Sequence, residues 1–271
     1  MSAQAGLAVA DAGGDLLLRR DHAGGISVLT LNRPDAYNSL SSGLMRALLR
    51  ALDAVRDDAG IRVLVLEGAG RGFCSGHDLK EVRGLKTMEE RRALMALCCQ
   101  VMLAVVHLPK PVIAKVHGFA SAAGCQLVGS CDLALAASAA QFSTPGVNIG
   151  LFCHTPMVAL SRNVAPKHAM EMLLTGEAID AETAQRIGLI NRHVALEELE
   201  TAVLETAARI AGKSSHVLKI GKEAFYRQLE MDLEAAYAYA AEVMVENMLA
   251  RDAEEGIGAF IEKRRPQWRD A

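Results

Sequence analysis

The chain has 271 residues, 51% of them hydrophobic, and a net charge of -3. That is enough apolar mass for one large core, or for a core plus a smaller domain. The near-neutral balance, with a pI of about 6.3, and the lack of a basic patch argue against a nucleic-acid partner. No Lys/Arg-rich amphipathic stretch argues for a membrane surface, and the longest apolar runs, such as that from Met102 up to His107, fall far short of the roughly 20 residues that span a bilayer.

In chain order, residues 1–14 read as a disordered lead-in. The first 20 residues hold Asp11 and Asp15, with Arg19 and Arg20 only at the end, which is neither a secretory signal nor an Arg-rich transit peptide. Ile26 to Leu31 alternates and is β-branched, which predicts a strand. Ser41 is placed to cap a helix whose apolar face is Leu44, Leu48, Leu52 and Val55. Arg62 to Glu67 (RVLVLE) predicts a second strand, and Thr87 to Leu108 a long helix stopped by Pro109. Pro111 to Val116 reads as a strand, Ala122 to Ser130 as a helix, Asp132 to Ala137 as a strand, and Gln141 to Thr144 as a short one.

Strands and helices alternate to about residue 195, which argues for an α/β architecture. Beyond that point the pattern is helical. Leu233 to Ala250 is rich in Ala, Met, Leu and Glu, and Ala253 to Arg264 follows it. Such a region packs on another subunit or folds back on its own core, and the expectation is an oligomer. The expected organisation is a core over 15–200 and a helical oligomerisation region over 201–271.

Gly68 to Gly72 (GAGRG) follows a strand and looks like a dinucleotide fingerprint, but that fingerprint needs a third Gly where this chain has Phe73. The informative stretches are Gly70 to Val82 (GRGFCSGHDLKEV) and Lys110 to Gly150. Each passes from a strand through small residues into a helical segment. Small residues let backbone approach a ligand, and the first N–H groups of a helix are free to donate. Two such turns facing one another would aim two N–H groups at one oxygen, forming an oxyanion hole. Taken singly, each is a Gly/Ala-rich turn.

SGHDLKE, KPVIAKVHGFASAAGCQLVGSCDLALAA and QFSTPGVNIGL, with LNRPDAYNSLS before them and AMEMLLTGEAIDAETAQRIGLINRHV and EGIGAFIEKRRPQW after, resemble the enoyl-CoA hydratase/isomerase (crotonase) superfamily. The resemblance covers about residues 15 to 268, in the family's order. It implies a crotonase (ClpP-like) α/β fold, a spiral of ββα units with a C-terminal helical trimerisation region, assembled as a homotrimer or hexamer. It also implies an acyl-CoA ligand, with coenzyme A as part of the substrate and no separate cofactor. The thioester oxygen would accept from the N–H groups of His77 and Ala123. Arg33, Ala36 and Tyr37 would lie along the CoA path. Lys80 would approach the CoA phosphates, and Phe260 and Lys263 the nucleotide, from this chain or a neighbouring one. Lys80 and Lys263 also read as solvated charges, and Phe260 as core.

The family's hydratases hold a water between two glutamates, because the water needs a base and the α-carbon an acid. Their positions correspond here to Gln126 and Gly146. An amide cannot take a proton near pH 7, and glycine has nothing to offer, so fast hydration is not expected. His154, in the same wall loop, is a candidate base or a loop histidine that simply hydrogen-bonds. Cys153 beside it is a candidate nucleophile or a structural thiol, and Asn148 orients a ligand or only a turn. Two functions stay open: an acyl-CoA enzyme with divergent acid–base groups, and a non-catalytic acyl-CoA binding or regulatory protein. None of the six cysteines forms a C-x-x-C pair, so no metal is expected. Buried, reduced thiols point to a cytoplasmic protein.

Overall fold

The computed structural model describes residues 16–271, so the lead-in expected over 1–14 lies outside the described residues. The main sheet has six strands, in the order β1 (Leu17–His22), β2 (Ile26–Leu31), β3 (Val63–Gly68), β4 (Val112–Val116), β6 (Leu133–Ala137) and β9 (Arg192–Val194). β1 runs antiparallel to β2, and the other neighbours are parallel. A smaller sheet stands beside it, in the order β5 (Phe119–Ser121), β7 (Gln141–Ser143), β8 (Ile179–Asp180).

Successive side chains of a strand point to opposite faces, and here both faces are buried. Leu29, Leu64, Leu66 and Ala114 join the larger core. It is closed by α1 (Ser42–Asp57), α3 (Met88–Val106) and α4 (Ala123–Ser130). Val28, Val63, Val65 and Ile113 point the other way, against Leu199, Val203 and Ala207 of α8 (Leu196–Ala211). A strand buried on both sides reads as an unbroken apolar run, which is what RVLVLE is. β1 left no such mark. It is an edge strand, and its Arg19 and Asp21 keep that edge charged.

The start signals act as the sequence implies. Ser41 Oγ accepts the Leu44 N–H at 3.2 Å, and Thr87 with Glu90 forms a reciprocal capping box on α3. One boundary moves. Residue 200 falls inside α8, which covers the second face of the sheet, so the core runs on to Ala211. The remaining helices are α2 (Leu79–Gly84), α5 (Pro156–Asn163), α6 (Pro166–Thr175), α7 (Ala181–Arg186), α9 (Ser215–Gln228), α10 (Leu233–Met248) and α11 (Arg251–Ile261).

α9 and α10 bury no residue, and α11 buries only Asp252 and Ala259. Polar ties hold them to the core. Lys222 Nζ donates to Asp132 at 2.7 Å and to the carbonyls of Lys110 and Val105, and the Tyr226 hydroxyl donates to the other Asp132 oxygen at 2.9 Å. No helix among the described residues is long and apolar enough to cross a membrane.

Candidate functional site

The loop after β3 is fixed from several sides. Leu40 and the Gly76–Asp78 segment exchange hydrogen bonds: the Leu40 N–H donates to the Gly76 carbonyl at 2.7 Å and the Asp78 N–H to the Leu40 carbonyl at 3.2 Å. Asp78 caps α2 by accepting the Lys80 and Glu81 N–H groups. The Arg33 guanidinium donates to the other Asp78 oxygen at 2.9 Å and to the Ser39 carbonyl at 2.6 Å. That contact holds the Asp78 carboxyl below the usual carboxylate range.

The second turn is pressed directly against the first. The Ser121 N–H donates to the Cys74 carbonyl at 2.9 Å, and the Ala122 N–H to the Ser143 carbonyl at 2.9 Å. Gly76 has a φ of 99°, and a Cβ there would stand 2.9 Å from Ala122 Cβ and 3.3 Å from the Ala123 nitrogen. A Cβ on Gly124 would stand 2.2 Å from the Cys74 carbonyl oxygen. Only glycines allow this approach. Ala122 takes φ 49° and ψ -117° to turn the chain into α4, a conformation that strains any residue with a Cβ. The two turns therefore face one another, and neither the His77 N–H nor the Ala123 N–H, at the first position of α4, has an acceptor among the described residues.

Both residues line a cavity of about 790 Å³, together with Arg33, Ala36, Tyr37, Lys80, Gly146, Asn148, Cys153 and His154. The tertiary structure thus brings most of the candidate residues around one space. Tyr37, itself in the left-handed region at φ 52°, sits edge-on to Phe119 with ring centroids 5.7 Å apart. Three candidates fall elsewhere. Phe260 stands on the outer face of α11, 85% exposed, and neither it nor Lys263 is part of this chain's cavity lining. Gln126 is buried one turn along α4 from Ala123, is not among the residues lining the cavity, and its Oε1 has no partner. Sequence reasoning missed the apolar wall of the cavity, formed by Leu79, Val82, Met95, Leu151 and Phe152. Only the pairing of α2 and α3 with the loop after β7 assembles it.

The wall has closed over Gly146. Its φ is not left-handed, but a Cβ there would meet the Leu151 carbonyl oxygen at 2.6 Å and Cys153 Sγ at 2.9 Å. The Cys153 thiol is pushed up by burial, against a hydrogen bond from the Gly146 N–H, so it is less ready to act as a nucleophile than an ordinary thiol. Burial pushes the His77 imidazole down, towards its neutral form, and its Nε2 is buried without a partner. His154 is exposed, with its ring 5.2 Å from that of Phe152. Two free N–H groups beside an apolar cavity, with no carboxylate on its inner wall, can bind and polarise a carbonyl oxygen.

Residues 21–271 match the enoyl-CoA hydratase/isomerase family. A relative from Rattus norvegicus, enoyl-CoA hydratase domain-containing protein 3, mitochondrial, is 44% identical over 90% of this chain and 81% of its own length. The crystal structure of an enoyl-CoA hydratase from Mycobacterium smegmatis superposes with a TM-score of 0.91 at 49% identity, covering 93% of this chain and 98% of that one. That of the human enoyl-CoA hydratase domain-containing protein 3 does so with a TM-score of 0.88 at 42% identity, covering 93% and 100%. These likenesses give the fold as the crotonase fold. They also overturn the cytoplasmic expectation, since the rat protein and its counterparts from mouse, frog, human and zebrafish are all named as mitochondrial. The physical reason is that reduced thiols report a redox environment, whereas a compartment is an address read by receptors.

Proposed function

The chain belongs to the enoyl-CoA hydratase/isomerase family, and from that premise we propose that it binds acyl-CoA thioesters with the thioester oxygen between the His77 and Ala123 N–H groups. The observation that carries this reading is the contact of the two turns, 3.3 Å from a Gly76 Cβ position to the Ala123 nitrogen, with both N–H groups left free. The coenzyme A portion runs past Arg33, Ala36 and Tyr37, with Lys80 near its phosphates. The chain assembles as a homotrimer or hexamer, in which Phe260 and Lys263 reach the nucleotide from a neighbouring copy.

Hydration is weak or altered on this reading. Gln126 and Gly146 stand where the family's hydratases carry glutamates, and neither can exchange a proton with water or the α-carbon. His154 is the acid–base group left on the wall. The second reading, a non-catalytic acyl-CoA binding protein, is favoured by the way Leu151 and Cys153 fill the space beside Gly146. Calorimetry with acetyl-, crotonyl- and decanoyl-CoA tests the shared premise and is expected to give saturable heat. No heat at millimolar ligand removes it. Turnover of crotonyl-CoA alongside binding then separates the two readings.

A further inference from the structure

The two turns that carry the free N–H groups are held by different means. The Ala123 turn is fixed by close backbone approach, which Gly76 and Gly124 permit. His77 lies in a single bridge to Leu40, made by the Leu40 N–H on the Gly76 carbonyl and the Asp78 N–H on the Leu40 carbonyl. In a parallel bridge of this kind the middle residue's own N–H points away from its partner, so the direction of the His77 N–H follows the setting of Gly76 and Asp78. Gly76, at φ 99°, gives the segment little stiffness of its own. Asp78, on the other side, is gripped by Arg33. The guanidinium spans the bridge: one terminal nitrogen donates to the Ser39 carbonyl at 2.6 Å, just before Leu40, and the other to Asp78 Oδ2 at 2.9 Å, just after His77. The backbone of Arg33 is fixed in turn. Its N–H donates to Asn38 Oδ1 at 2.9 Å, and Asn38 Nδ2 donates to the carbonyls of Ala69 and Gly72. Arg33 thus joins the beginning of the loop after β3 to its end. The Arg33 and Asp78 side chains are only 21% and 15% exposed, unlike the open surface pairs that contribute little.

Resting on the acyl-CoA reading above, we infer that Arg33 is a positioning residue of the oxyanion hole: acting through Asp78 and the Ser39 carbonyl, it aims the His77 N–H at the thioester oxygen, and it is not a cation for the phosphates of coenzyme A. Both terminal nitrogens of the guanidinium are engaged within the chain, so a phosphate would have to compete with the Asp78 carboxylate for the same fork. Lys80, exposed on the same lining, is the cation open to a phosphate. The Arg33–Asp78 pair is neutral as a whole, so it orients the turn without adding net charge to the cavity. Without either partner the His77 N–H loses its fixed direction, and small errors of placement are costly where a donor must meet one oxygen. A ligand that carries the thioester carbonyl feels that loss. Coenzyme A without an acyl group does not.

The experiment measures butyryl-CoA and free coenzyme A binding to the full chain by calorimetry, and reads the thioester carbonyl stretch of isotope-labelled butyryl-CoA by infrared difference spectroscopy. Arg33→Met keeps the apolar stem and removes the fork, and Asp78→Asn keeps an acceptor for the N–H groups of α2 and removes the charge. Each is expected to weaken butyryl-CoA by about 10-fold, the worth of one ordinary hydrogen bond, and free coenzyme A by less than about 2-fold. In each the lowering of the carbonyl stretch seen with the parent chain shrinks, and the double variant loses no more than the larger single one, because the two residues act as one unit. Arg33→Lys is the milder change and carries the test if the others fail to fold. A phosphate contact survives it as a point charge, whereas the bridge from Ser39 to Asp78 does not, so the carbonyl shift falls while coenzyme A affinity is kept. Equal weakening of butyryl-CoA and coenzyme A, or a carbonyl stretch that is the same in the Arg33 variants as in the parent, overturns the inference and leaves the acyl-CoA reading standing. No binding of butyryl-CoA to the parent chain overturns both.

Discussion

The sheet with its covering helices and the C-terminal helices are held in place by different physics. In the first region Leu48, Leu64 and Leu66 are fully buried, and the strands are tied to one another along their length. In the second, Leu233 and Tyr237 are each 72% exposed and Leu249 83%, while attachment runs through a few polar groups. Lys222 and Tyr226 converge on Asp132, Arg62 pairs with Asp270 at 2.7 Å, and Trp268 Nε1 donates to the Gly212 carbonyl at 2.9 Å. The helical region carries an apolar surface of the kind that marks an interface. The site belongs to the first region, and the nucleotide-side candidates Phe260 and Lys263 to the second.

The largest expected effect breaks the core. Leu66→Ala removes a fully buried side chain and lowers the unfolding free energy by about 2–5 kcal/mol in a urea titration. Tyr237→Ala changes that of the unassociated chain by less than about 0.5 kcal/mol, while light scattering reports a smaller assembled mass. A clean monomer for the parent chain in light scattering would remove the trimer and hexamer altogether.

Next comes the wall of the site. Gly146→Ala costs about 1–3 kcal/mol, as overpacking does. Because the nearest atom is the Leu151 backbone oxygen, adding Cys153→Ala recovers only part of the loss. A neutral Gly146→Ala would mean that the wall yields freely and has room for a side chain there. Ala122→Gly acts in the other direction. It relieves a strain of about 1–3 kcal/mol, against about 0.4–1 kcal/mol of extra freedom in the unfolded chain. The net expectation is a gain of about 1 kcal/mol, read as a higher Tm, and a fall in Tm would contradict the strain.

The smallest effect is confined to the tail. The Arg62 contact holds the Asp270 carboxyl below its ordinary value of 3.8. The stabilisation is therefore complete above that value and is lost as pH falls through the lower, folded-state value. Trp268 is the chain's single tryptophan, so its fluorescence should change in that acid window. In Asp270→Asn the change should be absent there, with the tail already loosened at neutral pH.

The sequence by itself determined the elements and the chemistry on offer. Alternation wrote β2, and short apolar runs wrote β3 and β4. Ser41 and Thr87 wrote the starts of α1 and α3, and the glycines and alanines of SGHD and SAAG marked two turns able to approach a ligand. Gln126 and Gly146 carried, through the resemblance alone, the expectation of a site without the paired acids. Only the tertiary structure decided that the turns face one another, that Gln126 is buried outside the cavity lining, that Leu151 and Cys153 close on Gly146, and that α8 packs on the sheet. The physical reason is that local periodicity records which face of an element is apolar. The contacts of Gly76 with Ala122 and of Gly124 with Cys74 are instead backbone approaches between segments far apart in the chain, fixed only when β3, β5 and α4 pack together.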